Sequence, residues 1–181
     1  MMERKVVEHC SPTLAGIKCG SLFKYSDRMG ASEEVRRLNG LLNPRGISVR
    51  IIYSCACRDL VLVYRENKIM ERLSSPEISG LLHLMGYDCC DIHSCLTRLT
   101  EKMNSGGTIP PEIGIFLGYP LEDVLGFMEY GGRYSKTMGC WKVYGDEECA
   151  VRTFAKYKKC RDIFLKKYEA GSSITKLAVP V

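Results

Sequence analysis

The sharpest periodicity in the chain has a repeat of two. Ile47, Val49, Ile51 and Tyr53 alternate with Ser48, Arg50 and Ser54, the spacing of a half-buried strand. Asp59–Arg65 then runs apolar on both faces around Leu60–Tyr64, as expected of a strand in the middle of a sheet. The Cys55–Arg58 link is short enough for a hairpin. Ser21–Tyr25 predicts a further short strand, and Trp141–Tyr144 a fourth, closed by Gly145 and Asp146.

Elsewhere the repeat is helical. Val35, Leu38 and Leu42 share one face of a segment that opens at Ser32, the expected N-cap, and stops at Asn43–Gly46. Ile69, Met70 and Leu73 precede a break at Pro76, and Ile78, Leu81, Leu82 and Met85 follow it. Ile92, Cys95, Leu96, Leu99 and Met103 make a clean amphipathic stripe. The last long helix sets Ala150, Phe154, Tyr157, Phe164, Leu165 and Tyr168 against a basic face of Arg152, Lys156, Lys159 and Lys166. Residues 1–10 predict a short helix ended by Pro12, because the residue before a proline is pushed out of the helical region. After Gly171 the pattern is lost, so residues 171–181 are expected to fray.

Between Ile109 and Asp146 lie the sole tryptophan and seven glycines. Ile113–Tyr119 is apolar enough for a strand, but its punctuation is helical. Pro110 and Pro111 suit a first turn, Gly118 a left-handed C-terminal position, and Pro120 a new start. The expectation is two helices, about 111–117 and 120–130, joined through Gly118 and Tyr119 as a helix-turn-helix-like corner. Glu122, Asp123 and Glu129 on the second helix, with no Lys or Arg, argue against DNA, whose phosphates supply most of the affinity in such complexes. These elements predict an α+β fold: a small, mainly antiparallel sheet of about four strands with helices packed on one face.

At 181 residues the simplest organisation is a single domain. A net charge of +5 is too small and dispersed to imply a nucleic-acid partner. Residues 1–25 lack an apolar export segment and the longest apolar run is five residues, Leu60–Tyr64. A cytoplasmic protein with no membrane span is expected, its ten cysteines held as reduced thiols.

Three kinds of chemistry are in view. Cys10 or Cys19 is a candidate nucleophile for a thiol-dependent enzyme, if a base reaches it. Cys55, Cys57, Cys89 and Cys90 are candidate soft-metal or redox ligands, against a bland reading as small apolar side chains. His9, Lys18, Glu112, Tyr119, Tyr144 and Asp146 fall at element ends, where a rigid scaffold presents groups to a ligand. The competing reading is that Glu112 and Asp146 cap helices and the tyrosines merely pack. No glycine-rich phosphate loop is present, and no acid–base–nucleophile set converges in sequence. The expected role is therefore a non-catalytic protein that binds a small molecule or a protein partner.

Glu112–Phe127 and Cys140–Asp146, with His9–Lys18 and Ser21–Phe23 earlier in the chain, resemble an uncharacterised bacterial family, domain of unknown function 3793 (DUF3793). The resemblance runs over most of the chain. It implies a single-domain cytosolic protein frequent in anaerobes, and it brings no activity, cofactor or catalytic residue with it. Where the family pattern has a histidine just before the central Glu-Ile-Gly, this chain has Pro111.

Overall fold

A computed structural model describes residues 1–27 and 30–180. Its centre is a three-stranded antiparallel sheet in the order β1–β3–β2, built from β1 (Gly20–Tyr25), β2 (Ser48–Cys55) and β3 (Arg58–Tyr64). β3 is apolar on both sides and lies in the middle, as its sequence requires. Leu60, Leu62 and Tyr64 face one core while Val61 and Val63 face another. Helices consequently cover both faces of the sheet. That corrects the one-sided packing expected from the sequence: a strand buried on both faces needs an apolar layer on each.

On the Val61 side lie α1 (Met2–Leu14), α2 (Ala31–Leu42) and, as shown below, the C-terminal turn. On the Leu62 side lie α3 (Glu66–Leu73), α4 (Pro76–Leu84), α5 (Ile92–Gly106) and the corner formed by α6 (Ile113–Phe116) and α7 (Leu121–Tyr130). The fourth strand does not join this sheet. Thr137–Met138 (β4) and Lys142–Val143 (β5) form a separate two-stranded ribbon, and α8 (Glu147–Glu169) leads away from it. One end of α8 packs Ala150, Phe154 and Tyr157 around Trp141, while Phe164, Leu165 and Tyr168 near its other end rest on the α1 core. No helix among the described residues is long and apolar enough to cross a membrane.

Four local departures have identifiable causes. The β2 register shifts between Ile51 and Tyr53, so Ile52 and Tyr53 both turn to the Leu60 side instead of continuing the alternation. Helix α2 starts after Gly30, which takes the left-handed φ of 81°, and Ser32 lies inside the first turn. Helix α1 runs through Pro12 to Leu14. It closes in a Schellman motif at Gly16 (φ 73°), whose N–H donates to the Thr13 carbonyl while that of Ile17 donates to the Pro12 carbonyl. Finally, residues 171–180 do not fray. A short helix α9 (Ile174–Leu177) buries Ile174, Leu177 and Ala178 in the α1 core.

Arg65 accounts for that last result. It directly follows β3, is 1% exposed, and has no carboxylate among its described partners. Its guanidinium donates instead to the carbonyls of Thr13 (2.7 Å) and Leu14 (2.8 Å) at the end of α1, and of Val179 in the tail (2.7 Å). The Val179 N–H returns a bond to the Leu14 carbonyl at 3.0 Å. One side chain thus adds charged donors to the carbonyls that close α1 and fastens the C-terminus to them.

Candidate functional site

The site starts at the turn that closes α1. Having reversed at Gly16, the chain brings Lys18 beneath the α6–α7 corner, which approaches closely because of Gly118. With φ of 79°, Gly118 takes a backbone conformation that side-chain-bearing residues avoid, and a Cβ there would stand 3.2 Å from the Cys19 sulfur. Gly114 similarly leaves room for Val124 and Tyr119. From α3, Arg72 donates to the carbonyls of Ile115 (3.2 Å) and Tyr119 (2.6 Å), which holds the corner in place.

Two rings flank the Lys18 ammonium. Its Nζ lies 5.3 Å from the Tyr119 ring centre and 5.6 Å from that of Tyr157. Tyr119 in turn stacks on Trp141 at 4.8 Å, and Phe154 meets Trp141 edge-on at 4.5 Å. Burial lowers the Lys18 pKa below that of an ordinary lysine and raises those of both phenols, that of Tyr157 to about 12. The rings therefore remain neutral and offer only their faces, an attraction worth about 0.5–2 kcal/mol. None of the ion pairs among the described residues includes Lys18.

Lys18 lines a cavity of about 600 Å³ bounded by the α1–β1 turn, residues 109–119, α7 and the ribbon. Leu22, Ile113, Val124 and Trp141 supply much of its apolar wall, with Phe127 and the well-exposed Met138 at the lip. His9 lies at the edge, stacked on Phe23 at 5.8 Å, its pKa lowered by burial although Glu8 opposes the shift. Lys142 also lines the cavity, but its ammonium donates to the Gly132 carbonyl at 2.7 Å.

Of the six candidates from the sequence, His9, Lys18 and Tyr119 meet here, and the other three do not. Glu112 is 1% exposed and accepts hydrogen bonds from Tyr87 Oη (3.0 Å) and Lys102 Nζ (2.8 Å), outside the cavity lining. Asp146 caps α8, accepting from the Cys149 N–H at 2.9 Å. The Tyr144 ring packs against Gly126, where a Cβ would approach its Cγ to 2.4 Å. Glu112→Gln should keep the tyrosine bond but leave Lys102 unpaired. Because the Lys102 side chain retains 24% exposure, it can turn to water, so the expected loss is about 1–2 kcal/mol, below the several kcal/mol typical of a fully buried broken pair. The urea midpoint measures it.

The residue that the sequence reading missed is Asp123. Counted there only as an acid facing DNA, it is 3% exposed and turns inward from the first turn of α7. One oxygen accepts the Trp141 indole N–H at 2.6 Å; the other accepts the N–H groups of Tyr144 (2.6 Å) and Gly145 (2.9 Å). Glu122 beside it accepts the Asp146 N–H at 3.3 Å. These acids bind the ribbon to α7 and so form the cavity's Trp141 wall. The available signal was the sole tryptophan, whose indole N–H needs an acceptor when buried.

The cysteines are dispersed. Cys10 is fully buried in the α1 core and Cys19 half-buried, its thiol facing the Lys68 carbonyl at 3.9 Å; burial pushes both pKa values up, away from the thiolate a nucleophile needs. Cys55 ends β2 and Cys57 lies in the turn that follows, while Cys89 and Cys90 lie in the α4–α5 loop. Among the described residues no three potential metal-ligating side chains (His, Cys, Asp or Glu) are grouped.

Comparison with known proteins finds no curated protein and no solved structure that matches the chain. A family model described as "Protein of unknown function (DUF3793)" does match, over residues 6–178. With nearly the whole chain spanned, from within α1 to the buried C-terminal turn, this protein belongs to the DUF3793 family.

Proposed function

We propose that the chain is a non-catalytic binding protein whose cavity holds a small amphipathic anion, a molecule with an apolar body and one acidic group. The observation that carries this reading is Lys18: a largely buried ammonium set against two aromatic rings and included in none of the described ion pairs. A desolvated cation is costly unless paired, and cation–π contacts offset only part of that cost. A carboxylate or phosphate entering from the open side would complete the pairing, while the apolar wall takes the rest of the ligand. About 600 Å³ lies within the usual range for small-molecule sites. The buried Cys10 and half-buried Cys19 thiols, with raised pKa values, weigh against the thiol-dependent enzyme.

Calorimetry with decanoate tests the reading. A hydrogen bond to a charged group contributes about 1.5–3 kcal/mol, so Lys18→Met should weaken decanoate binding about tenfold or more. Lys159→Met, on the basic face of α8, should leave it unchanged. Equal affinities for wild type and Lys18→Met would overturn the assignment. The pH dependence has a fixed sign. Binding needs the ammonium, so affinity should fall as pH rises through the lowered Lys18 pKa, before exposed lysines titrate.

A further inference from the structure

The turn between β2 and β3 consists of Ala56 and Cys57, flanked by the paired residues Cys55 and Arg58. Across it the two sulfurs, Cys55 Sγ and Cys57 Sγ, stand 3.3 Å apart. A disulfide needs about 2.0 Å between sulfurs, so closure takes a small adjustment within a two-residue turn. Cys57 is exposed and Cys55 partly so, which leaves both within reach of a small molecule. Neither belongs to the apolar cores that absorb Cys10 and Cys95. Hydrogen bonds from Cys57, first from its backbone and then from its thiol, hold the Cys55 thiol below the ordinary range, and Arg58 adds to the effect.

We propose that Cys55 and Cys57 form a thiol–disulfide exchange site that reacts with small-molecule disulfides. The Cys55 thiolate attacks one sulfur of the disulfide RSSR; the S–S bond breaks, one RS⁻ leaves, and a mixed disulfide forms on Cys55. The Cys57 thiolate then attacks Cys55 Sγ and expels the second RS⁻. The two protons given up by the protein thiols end on the two departing thiolates. In sum the protein dithiol is oxidised by two electrons and RSSR is reduced to two RSH. The ring closed by residues two apart is small, and strained, exposed disulfides are the readily reduced ones. The exchange therefore runs in both directions.

The test is equilibration of the reduced full-length protein with glutathione and glutathione disulfide at graded ratios, followed by an acid quench, alkylation of free thiols and peptide mass spectrometry. The peptide containing Cys55 and Cys57 should lose two hydrogens and carry neither glutathione nor alkyl group. The exposed Cys149 should instead carry glutathione at the same ratios. Cys57→Ser removes the second step, so glutathione should remain on Cys55. A wild-type peptide that holds glutathione on either cysteine, or stays reduced at ratios where Cys149 is modified, would overturn the proposal. The readout follows one peptide and is independent of anion binding at Lys18, so either proposal can fail alone.

Discussion

Asp123→Ala is expected to destabilise the protein by about 3–5 kcal/mol, the largest effect of any single truncation considered. The carboxylate is buried and accepts from three donors, Trp141 Nε1 and the N–H groups of Tyr144 and Gly145. Its removal leaves three donors without their acceptor, each worth about 1–3 kcal/mol when buried, partly offset because a buried charge is also removed. Asp123→Asn separates the two halves of the interaction. Its amide oxygen can still accept from Tyr144 and Gly145, but its NH₂ then confronts the indole N–H, donor against donor. A loss of about 1–3 kcal/mol is expected for this variant. Urea unfolding followed by Trp141 emission measures both. Trp141 should also move to a more solvent-exposed emission in the native state of the alanine variant, because its anchor to α7 has gone.

Arg65 carries the second large effect. Arg65→Met removes donors from the Thr13, Leu14 and Val179 carbonyls at once, for an expected loss of about 2–4 kcal/mol. Arg65→Lys should recover little of it, since one ammonium cannot reproduce the spread of a planar guanidinium. A second readout separates tail docking from general destabilisation. Limited proteolysis should cut residues 171–180 of Arg65→Met well before the sheet or α1 is attacked, whereas a core truncation such as Leu62→Ala should expose the whole chain together.

These two residues mark the boundary of what the sequence discloses. Whatever is decided within a few residues was readable: the alternation of β2, the two-sided apolar run of β3, the stripe of α5, the Gly118 corner and the Asp146 cap. What depends on partners far along the chain was not. Nothing local to Arg65 says that its acceptors lie 51, 52 and 114 residues away, and without that knowledge the tail looks free and Pro12 looks like a helix end. Tyr53 follows the alternation in sequence yet changes face because of a bulge that only the register with Leu60 specifies. The two-residue ribbon is too short for pattern to reveal that Trp141 leaves the main sheet.

The candidate site divides along the same line. Its turn, its corner and its lysine could be named from residue type and punctuation. Their convergence could not, and neither could the separation of Glu112, Tyr144 and Asp146 from them. Glu112 and Asp146 are polar residues at element ends whose chemistry is used up locally, one in an ion pair with Lys102 and the other in a helix cap. Lys18 differs in that its described contacts leave its charge unmatched.

Trp141 lines the Lys18 cavity and is the sole tryptophan, so the protein carries its own reporter at the proposed site. The most direct test is a titration of Trp141 emission with decanoate and, in parallel, with decan-1-ol. Saturable change with decanoate, and at least tenfold weaker change with the uncharged alcohol, is the result expected of a cavity whose specificity comes from the Lys18 ammonium. Equal responses to the two compounds, or no response to either from the folded protein, would contradict it.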